Sequence, residues 1–168
     1  MMQLLLTDTA TLESNNDLPL DVFDKFGKVT KFDNITRKEL LTAAADKDII
    51  LCNKTVIDRE VMNAAPNLRY IGLYATGSNN IDIAAAKEKG ITVCNAGSYS
   101  TNAVTQQVIG YILMHYTKIP QYDTFVKQGG WKRSGVFSPL IFSGDEVYGK
   151  TLGIVGYGNI GKAPKGLV

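Results

Sequence analysis

The chain has 168 residues, of which 45% are hydrophobic, and its 18 lysines and arginines nearly balance 16 aspartates and glutamates. This length suffices for one sizeable core, or for one domain and the beginning of another, and the balanced charge gives no reason to expect nucleic acid or an anionic membrane as a partner. No apolar run reaches the length of a membrane span, and the N-terminal one is too short for a signal peptide, so we expect a cytoplasmic protein.

Short apolar runs and helical patterns alternate through the first hundred residues. The pattern predicts strands over residues 3–7, 28–32, 48–52, 68–73 and 91–94. It predicts helices over residues 19–26, 36–45, 58–66 and 83–89, with a capping box at Thr36 and Glu39 and an N-cap at Asp58. Such alternation is typical of βαβ units, so we predict an α/β fold with a parallel sheet covered on both faces.

From Ser100 the pattern changes. Residues 101–117 form one long helical pattern, and a short helix over 122–127 is ended by Gly129 and Gly130. A loop-like segment over 131–148 then leads to an apolar run at 151–155, which we interpret as a buried parallel strand. Cys52 and Cys94 each fall inside a predicted strand, which favours buried reduced thiols over a disulfide or a metal site.

A glycine motif follows this last apolar run directly. Gly156, Gly158 and Gly161 have the dinucleotide-binding spacing, in which the glycines allow a tight turn, close approach of a pyrophosphate and close helix packing. The alternative is a glycine-rich turn without a ligand. The sequence contains no acidic residue about 20 positions further on to bind the ribose, and Pro164 is unfavourable for the helix that should follow.

Two polar turns leave neighbouring strands at the carboxyl edge of the predicted sheet, over residues 74–82 and 95–101. Ligands bind at this edge in open parallel sheets, and backbone N–H groups near a glycine can hold a carboxylate. The alternative is that both are surface turns selected for tightness, and their spacing alone favours neither interpretation.

Four stretches, in this order, resemble the D-isomer-specific 2-hydroxyacid dehydrogenases, most closely their glycerate dehydrogenase/hydroxypyruvate reductase branch. The stretches are Ala75-Thr76-Gly77-Ser78-Asn79-Asn80-Ile81-Asp82, Gly90-Ile91-Thr92-Val93-Cys94-Asn95, Tyr99-Ser100-Thr101-Asn102-Ala103-Val104 and Gly149-Lys150-Thr151-Leu152-Gly153-Ile154-Val155-Gly156-Tyr157-Gly158-Asn159-Ile160-Gly161. The similarity extends from the N-terminus to about residue 163.

The resemblance implies a flavodoxin-like parallel-sheet substrate domain over residues 1–99 and an incomplete beginning of a Rossmann NAD-binding domain over residues 100–168. By position, Thr76 and Gly77 match the family's loop that holds the substrate carboxylate through backbone N–H groups, and Tyr99 matches a position lining the cleft. The resemblance implies cofactor-binding positions at Val104, Thr105, Gly156, Gly158, Asn159, Ile160 and Gly161.

The implied reaction is hydride transfer between C2 of a small 2-hydroxy or 2-keto acid and the nicotinamide of NAD, with NADP left open. In the family, an arginine, a glutamate and a histidine act on the substrate, and all three lie downstream of the glycine loop. No residue of this chain matches them. We interpret His115, the only histidine, as a core or interface residue, and we expect a homodimer in the intact family enzyme.

Two functions remain open at this point. The first is the N-terminal portion of an NAD-dependent oxidoreductase, truncated after the glycine loop and inactive alone. The alternative is a short non-catalytic protein that binds a small carboxylate or dimerises with a full-length relative.

Overall fold

A five-stranded parallel sheet organises the first part of the chain in the computed structural model, which describes residues 1–12 and 17–166. The strands are β1 (Met2–Leu6), β2 (Gly27–Lys31), β3 (Ile49–Cys52), β4 (Tyr70–Leu73) and β5 (Thr92–Cys94). They lie in the order β2-β1-β3-β4-β5, and every neighbouring pair is parallel. This is the flavodoxin-like order, so the predicted fold class is confirmed.

Three helices connect the strands, and each begins at a capped residue. They are α1 (Arg37–Ala43), α2 (Arg59–Ala64) and α3 (Ile83–Glu88). Thr36 and Glu39 form the predicted capping box, and the Asp58 side chain accepts the Val61 N–H at 3.1 Å. These bonds satisfy N–H groups that the first helical turn leaves without partners. The segment Leu20–Phe26, predicted from helical spacing, is a 3₁₀ helix.

The core lies on both faces of the sheet, but unequally. The larger cluster joins alternate strand residues such as Leu5, Ile50 and Ile71 to residues of the three helices. A smaller cluster on the opposite face joins Leu4, Leu6 and Leu51 to Leu20 of the 3₁₀ helix. The central strands β1 and β3 are therefore apolar on both sides, as expected where a parallel sheet is buried between layers.

The chain divides into two compact units, Met1–Gly97 and Ser98–Val168. Helices of the second unit are α4 (Thr101–Thr117), α5 (Ile119–Lys127), α6 (Gly130–Ser134) and α7 (Asn159–Lys162), followed by a 3₁₀ turn over Ala163–Gly166. Helix α4 has the predicted bounds, and α7 ends just before Pro164, whose ring does not fit a helix interior. Residues 167–168, the last two of the predicted second domain, lie outside the described residues.

Two predictions for the second unit are wrong. The apolar run over residues 151–155 is not a strand, because no described segment pairs with it and an isolated strand leaves its backbone groups without partners. Val155 is fully exposed as a result. The segment over 131–148, predicted as a loop, is helical over its first four residues, which belong to α6; this prediction is wrong for those residues only, because residues 135–148 contain no helix or strand. Among the described helices, none combines the length and the apolar character needed to cross a membrane.

Candidate functional site

The turn after β4 contains the predicted carboxylate-binding residues. Thr76 and Gly77 are both exposed, at the edge of the sheet where the strands have their carboxyl ends. A Cβ atom added to Gly77 would meet no other atom within 4 Å. The space on the Cβ side of Gly77 is therefore open.

The segment that follows β5 holds this turn in place. The side-chain amide of Asn95 donates to the Thr76 carbonyl at 2.6 Å, and the Ala96 N–H donates to the Ala75 carbonyl at 3.0 Å. The Asn95 side-chain oxygen accepts the Gly97 N–H at 3.2 Å. The turn is thus bonded through its backbone to the neighbouring loop.

A buried carboxylate organises the adjacent loop. Asp8 follows β1, is only 2% exposed and accepts the backbone N–H groups of Asn53, Lys54 and Thr55 at 2.6–3.1 Å. It also accepts the Thr7 hydroxyl at 3.1 Å. Hydrogen bonds to a charged acceptor are stronger than neutral ones, so Asp8 fixes the loop after β3 against the end of β1.

Asn80 connects that loop to the turn after β4. Its side-chain amide donates to the Thr55 carbonyl at 2.7 Å and to the Asn53 carbonyl at 3.3 Å. The backbone carbonyl of Asn80 accepts the Ile57 N–H at 2.9 Å. The ends of β1, β3, β4 and β5 are therefore linked by hydrogen bonds that the Asp8 side chain accepts and that the side-chain amides of Asn80 and Asn95 donate.

Two titratable groups beneath this edge, Cys52 and Tyr74, remain protonated at neutral pH. Burial, with a smaller contribution from the Asp8 charge, raises the pKa of the Cys52 thiol to about 12. Burial and the same charge also raise the pKa of the Tyr74 hydroxyl, which has no hydrogen-bond partner among the described residues. Neither group is suited to exchange a proton with a substrate.

A separate cavity of about 350 Å³ lies beside Asp8 at the ends of β1 and β3. Its polar lining comes from Asp8, Thr11, Asn34, Arg37, Lys54 and Thr55, over Ile35, Leu40 and Val56. The Arg37 guanidinium is already paired with Asp58 and Glu60. Within residues 1–12 and 17–166, no cluster of three or more His, Cys, Asp or Glu side chains could bind a metal ion.

The glycine loop of the second unit forms a compact turn before α7. Gly156 has φ +91°, a conformation that favours glycine, and a Cβ on Gly161 would lie 2.1 Å from the Gly156 carbonyl oxygen. Gly158 precedes α7, and a Cβ there would meet nothing within 4 Å. The space over Gly158 is thus open, while Gly161 is required by the turn itself. Asn159 and Ile160, both exposed, begin α7.

The other predicted cofactor residues lie on α4. Thr105 is buried, and its hydroxyl donates to the Thr101 carbonyl at 2.8 Å, whereas Val104 is 37% exposed. Tyr99 lies just before this helix and is 67% exposed.

Two interpretations of single residues are wrong in part. His115 is exposed on α4, so it is not a core residue. Its ring packs edge-to-face on Tyr116, with 5.5 Å between the two ring centroids. Cys94 is exposed as well, at the end of the edge strand β5, so it is not the predicted buried thiol; Cys52 is buried as predicted.

Sequence reasoning did not identify Asp8, Asn80 or Asn95 as organising residues. Asp8 directly follows an apolar strand, and an acidic residue in that position is a signal for a loop anchor. Asn80 and Asn95 lie within the stretches that carried the family resemblance, but their roles depend on contacts 19 to 27 residues away along the chain.

Comparison with known proteins identifies the family. The family model described as "D-isomer specific 2-hydroxyacid dehydrogenase, catalytic domain" matches residues 6–152. A glyoxylate reductase of Thermofilum pendens is 41% identical over 129 residues, which cover 76% of this chain and 38% of that protein. A hydroxypyruvate reductase of Blautia hydrogenotrophica is 34% identical over 169 residues, which cover 96% of this chain and 51% of that protein.

A solved structure has a similar fold. The TT0316 protein of Thermus thermophilus aligns with 99% of this chain at a TM-score of 0.81 and 25% identity, and 52% of that protein is covered. The chain thus spans between two fifths and about half of the length of these relatives. With most of its length matched by the family model and with the expected sheet order, the chain belongs to the D-isomer specific 2-hydroxyacid dehydrogenase family.

Proposed function

We propose that the first unit binds the carboxylate of a small 2-hydroxy or 2-keto acid through backbone N–H groups at Thr76 and Gly77. The proposal depends above all on the open backbone at Gly77, in a turn anchored at the carboxyl edge of a parallel sheet. Glyoxylate reductases and hydroxypyruvate reductases among the relatives support a small acid as substrate. Tyr99 is proposed, from the family resemblance, as a residue lining the substrate cleft.

The second unit is proposed to supply the pyrophosphate part of an NAD or NADP site. The residues fit this role, since Gly158 leaves room for a phosphate and Gly161 closes the turn behind it. Asn159 and Ile160 would present their backbone to the phosphates, and Val104 and Thr105 would approach the nicotinamide. The bound cofactor would accept or donate the hydride at the substrate C2.

The intact family enzyme is proposed to be a cytoplasmic homodimer. Apolar side chains exposed on α4, including Val108, Tyr111 and Met114, support an interface there, and the free cysteines suit a reducing compartment.

Residues 1–168 alone are proposed to bind without turnover. The family's catalytic arginine, glutamate and histidine have no counterparts among these residues, and His115 lies on α4 against Tyr116. An assay of NADH oxidation with hydroxypyruvate or glyoxylate should therefore show no activity above the rate without protein. Steady turnover by the purified chain would contradict this proposal.

Carboxylate binding has its own test. The ¹⁵N-labelled chain is titrated with D-glycerate, and with glycerol as a control that has hydroxyls but no carboxylate. We expect saturable shifts of the Gly77 amide signal with D-glycerate only. Equal responses to both compounds, or none at Gly77, would reject the proposed carboxylate site.

A further inference from the structure

A hydrogen bond from Asn95 fixes the carbonyl of the peptide that joins Thr76 to Gly77. The Thr76 carbonyl accepts the Asn95 side-chain amide at 2.6 Å, which is short for an N–H···O bond. In a planar trans peptide, the carbonyl and the following N–H point in opposite directions. Fixing the Thr76 carbonyl towards Asn95 therefore turns the Gly77 N–H away from it.

The orientation of the Asn95 amide is itself determined. Its oxygen accepts the Gly97 N–H at 3.2 Å, so its nitrogen is the atom that faces Thr76. The neighbouring Ala96 N–H, bonded to the Ala75 carbonyl, holds the two segments side by side. The Asn95 side chain thus accepts one hydrogen bond and donates another. These two bonds hold the side chain, and with it the Thr76–Gly77 peptide, in one orientation.

The Gly77 N–H donates to no acceptor within the described part of the chain, and a Cβ added to Gly77 would meet no other atom within 4 Å. A backbone N–H with no protein acceptor and no side chain beside it is suited to a ligand oxygen. Both properties depend on the peptide keeping its present orientation.

We infer that Asn95 is a positioning residue that aims the Gly77 N–H at the substrate carboxylate. The inference rests on the proposed function, since Asn95 would orient the N–H of the same carboxylate site. Asn95 acts through the peptide and does not itself touch the substrate.

The test compares Asn95→Asp with Asn79→Asp in the 168-residue chain. Asn95→Asp keeps the acceptor for Gly97 but places a carboxylate oxygen against the Thr76 carbonyl. Asn79 is exposed in the same turn and makes no side-chain hydrogen bond among the described residues, so its substitution adds the same charge without touching that carbonyl. Asn95→Ala removes the donor without adding charge and serves as the second variant if Asn95→Asp does not fold.

Two quantities are measured by NMR: the residual dipolar coupling of the Gly77 N–H, which reports its orientation, and the dissociation constant of D-glycerate. We expect Asn95→Asp to change the coupling and to weaken D-glycerate binding about fivefold more than Asn79→Asp does, the effect of one hydrogen bond. An unchanged coupling, or equal affinities in the two variants, would overturn the role of Asn95. If the wild-type chain does not bind D-glycerate, the proposed function fails first, and the inference fails with it.

Discussion

At the scale of single residues, glycines with different surroundings have different functions. Gly161 is required by the turn, because a Cβ would lie 2.1 Å from the Gly156 carbonyl oxygen. Gly77 and Gly158 have open space where a Cβ would be, and neither has a positive φ. The fold therefore does not require glycine at these two positions, whereas the proposed binding of ligands to the backbone would.

Substitutions at Gly158 and Gly161 should separate these two functions. Gly161→Ala is expected to lower the free energy of unfolding of the second unit by about 1–3 kcal/mol, because the methyl group overpacks the turn. Gly158→Ala should change it by less than about 0.5 kcal/mol. Hydrogen exchange of the α4 amides measures the change in the free energy of unfolding in both variants. Equal destabilisation by the two variants would contradict the distinction.

Thiol reactivity should distinguish the two cysteines. Cys52 is buried, and its pKa is raised to about 12, so at pH 8 it is almost entirely in the unreactive protonated form. Cys94 is exposed. Labelling with a disulfide reagent at pH 8 should therefore modify one thiol per folded chain, and none in Cys94→Ser. Modification of two thiols at similar rates would show that Cys52 is accessible.

At the scale of secondary structure elements, the sequence predicted those features that depend on residues close together in the chain. The 3.6-residue periodicity of α4 and the capping box at Thr36 involve residues within one or two helical turns, and both are confirmed. The run over 151–155 has the composition of a strand, but a strand also depends on a partner elsewhere in the chain. Asp8 and Asn95 could not be assigned for the same reason, since their partners are distant in sequence.

The loop after β3 should depend on Asp8 for its stability. Asp8→Asn replaces one acceptor oxygen with a donor that faces backbone N–H groups, and we expect it to lower the free energy of unfolding of the first unit by about 2–3 kcal/mol. Urea denaturation measures the change. Asp24→Asn, at an exposed carboxylate in the Leu20–Phe26 helix, is the matched control and should have an effect below about 0.5 kcal/mol. Similar losses in both variants would refute this role.

The attachment of β1 to the segment before β3 should weaken in acid. The Asp48 carboxylate accepts hydrogen bonds from the Gln3 N–H at 2.8 Å and from the Arg69 guanidinium at 2.6 Å. Both bonds lower the pKa of Asp48, and the bond from Gln3 has the larger effect. Since its pKa is lower in the folded state, Asp48 stabilises the fold fully above its unfolded pKa of about 4, and this contribution is lost as pH falls through the lower folded value.

Urea denaturation between about pH 7 and pH 2 tests this dependence. Asp48→Asn should flatten the loss of stability below about pH 4, whereas Asp21→Asn, at an exposed carboxylate on the Leu20–Phe26 helix, should keep the wild-type profile. The prediction fails if Asp48→Asn loses stability in acid as steeply as the wild type.

At the scale of the whole molecule, the two units differ in their secondary structure and in the apolar surface that they expose. The first unit has a five-stranded sheet with a core on both faces. The second consists of helices and turns within the described residues, and it exposes large apolar side chains such as Phe137, Leu140 and Val155. The chain as a whole spans between two fifths and about half of the length of the three relatives compared with it.

Carboxylate binding by the backbone of the turn after β4 is the proposal on which the function of this chain depends. A crystal structure of the chain with D-glycerate is its decisive test. We predict a carboxylate oxygen at about 2.7–3.2 Å from the Gly77 nitrogen, with the Thr76 carbonyl still bonded to Asn95. D-glycerate bound instead in the cavity beside Asp8, with the turn at Gly77 empty, would contradict the proposal.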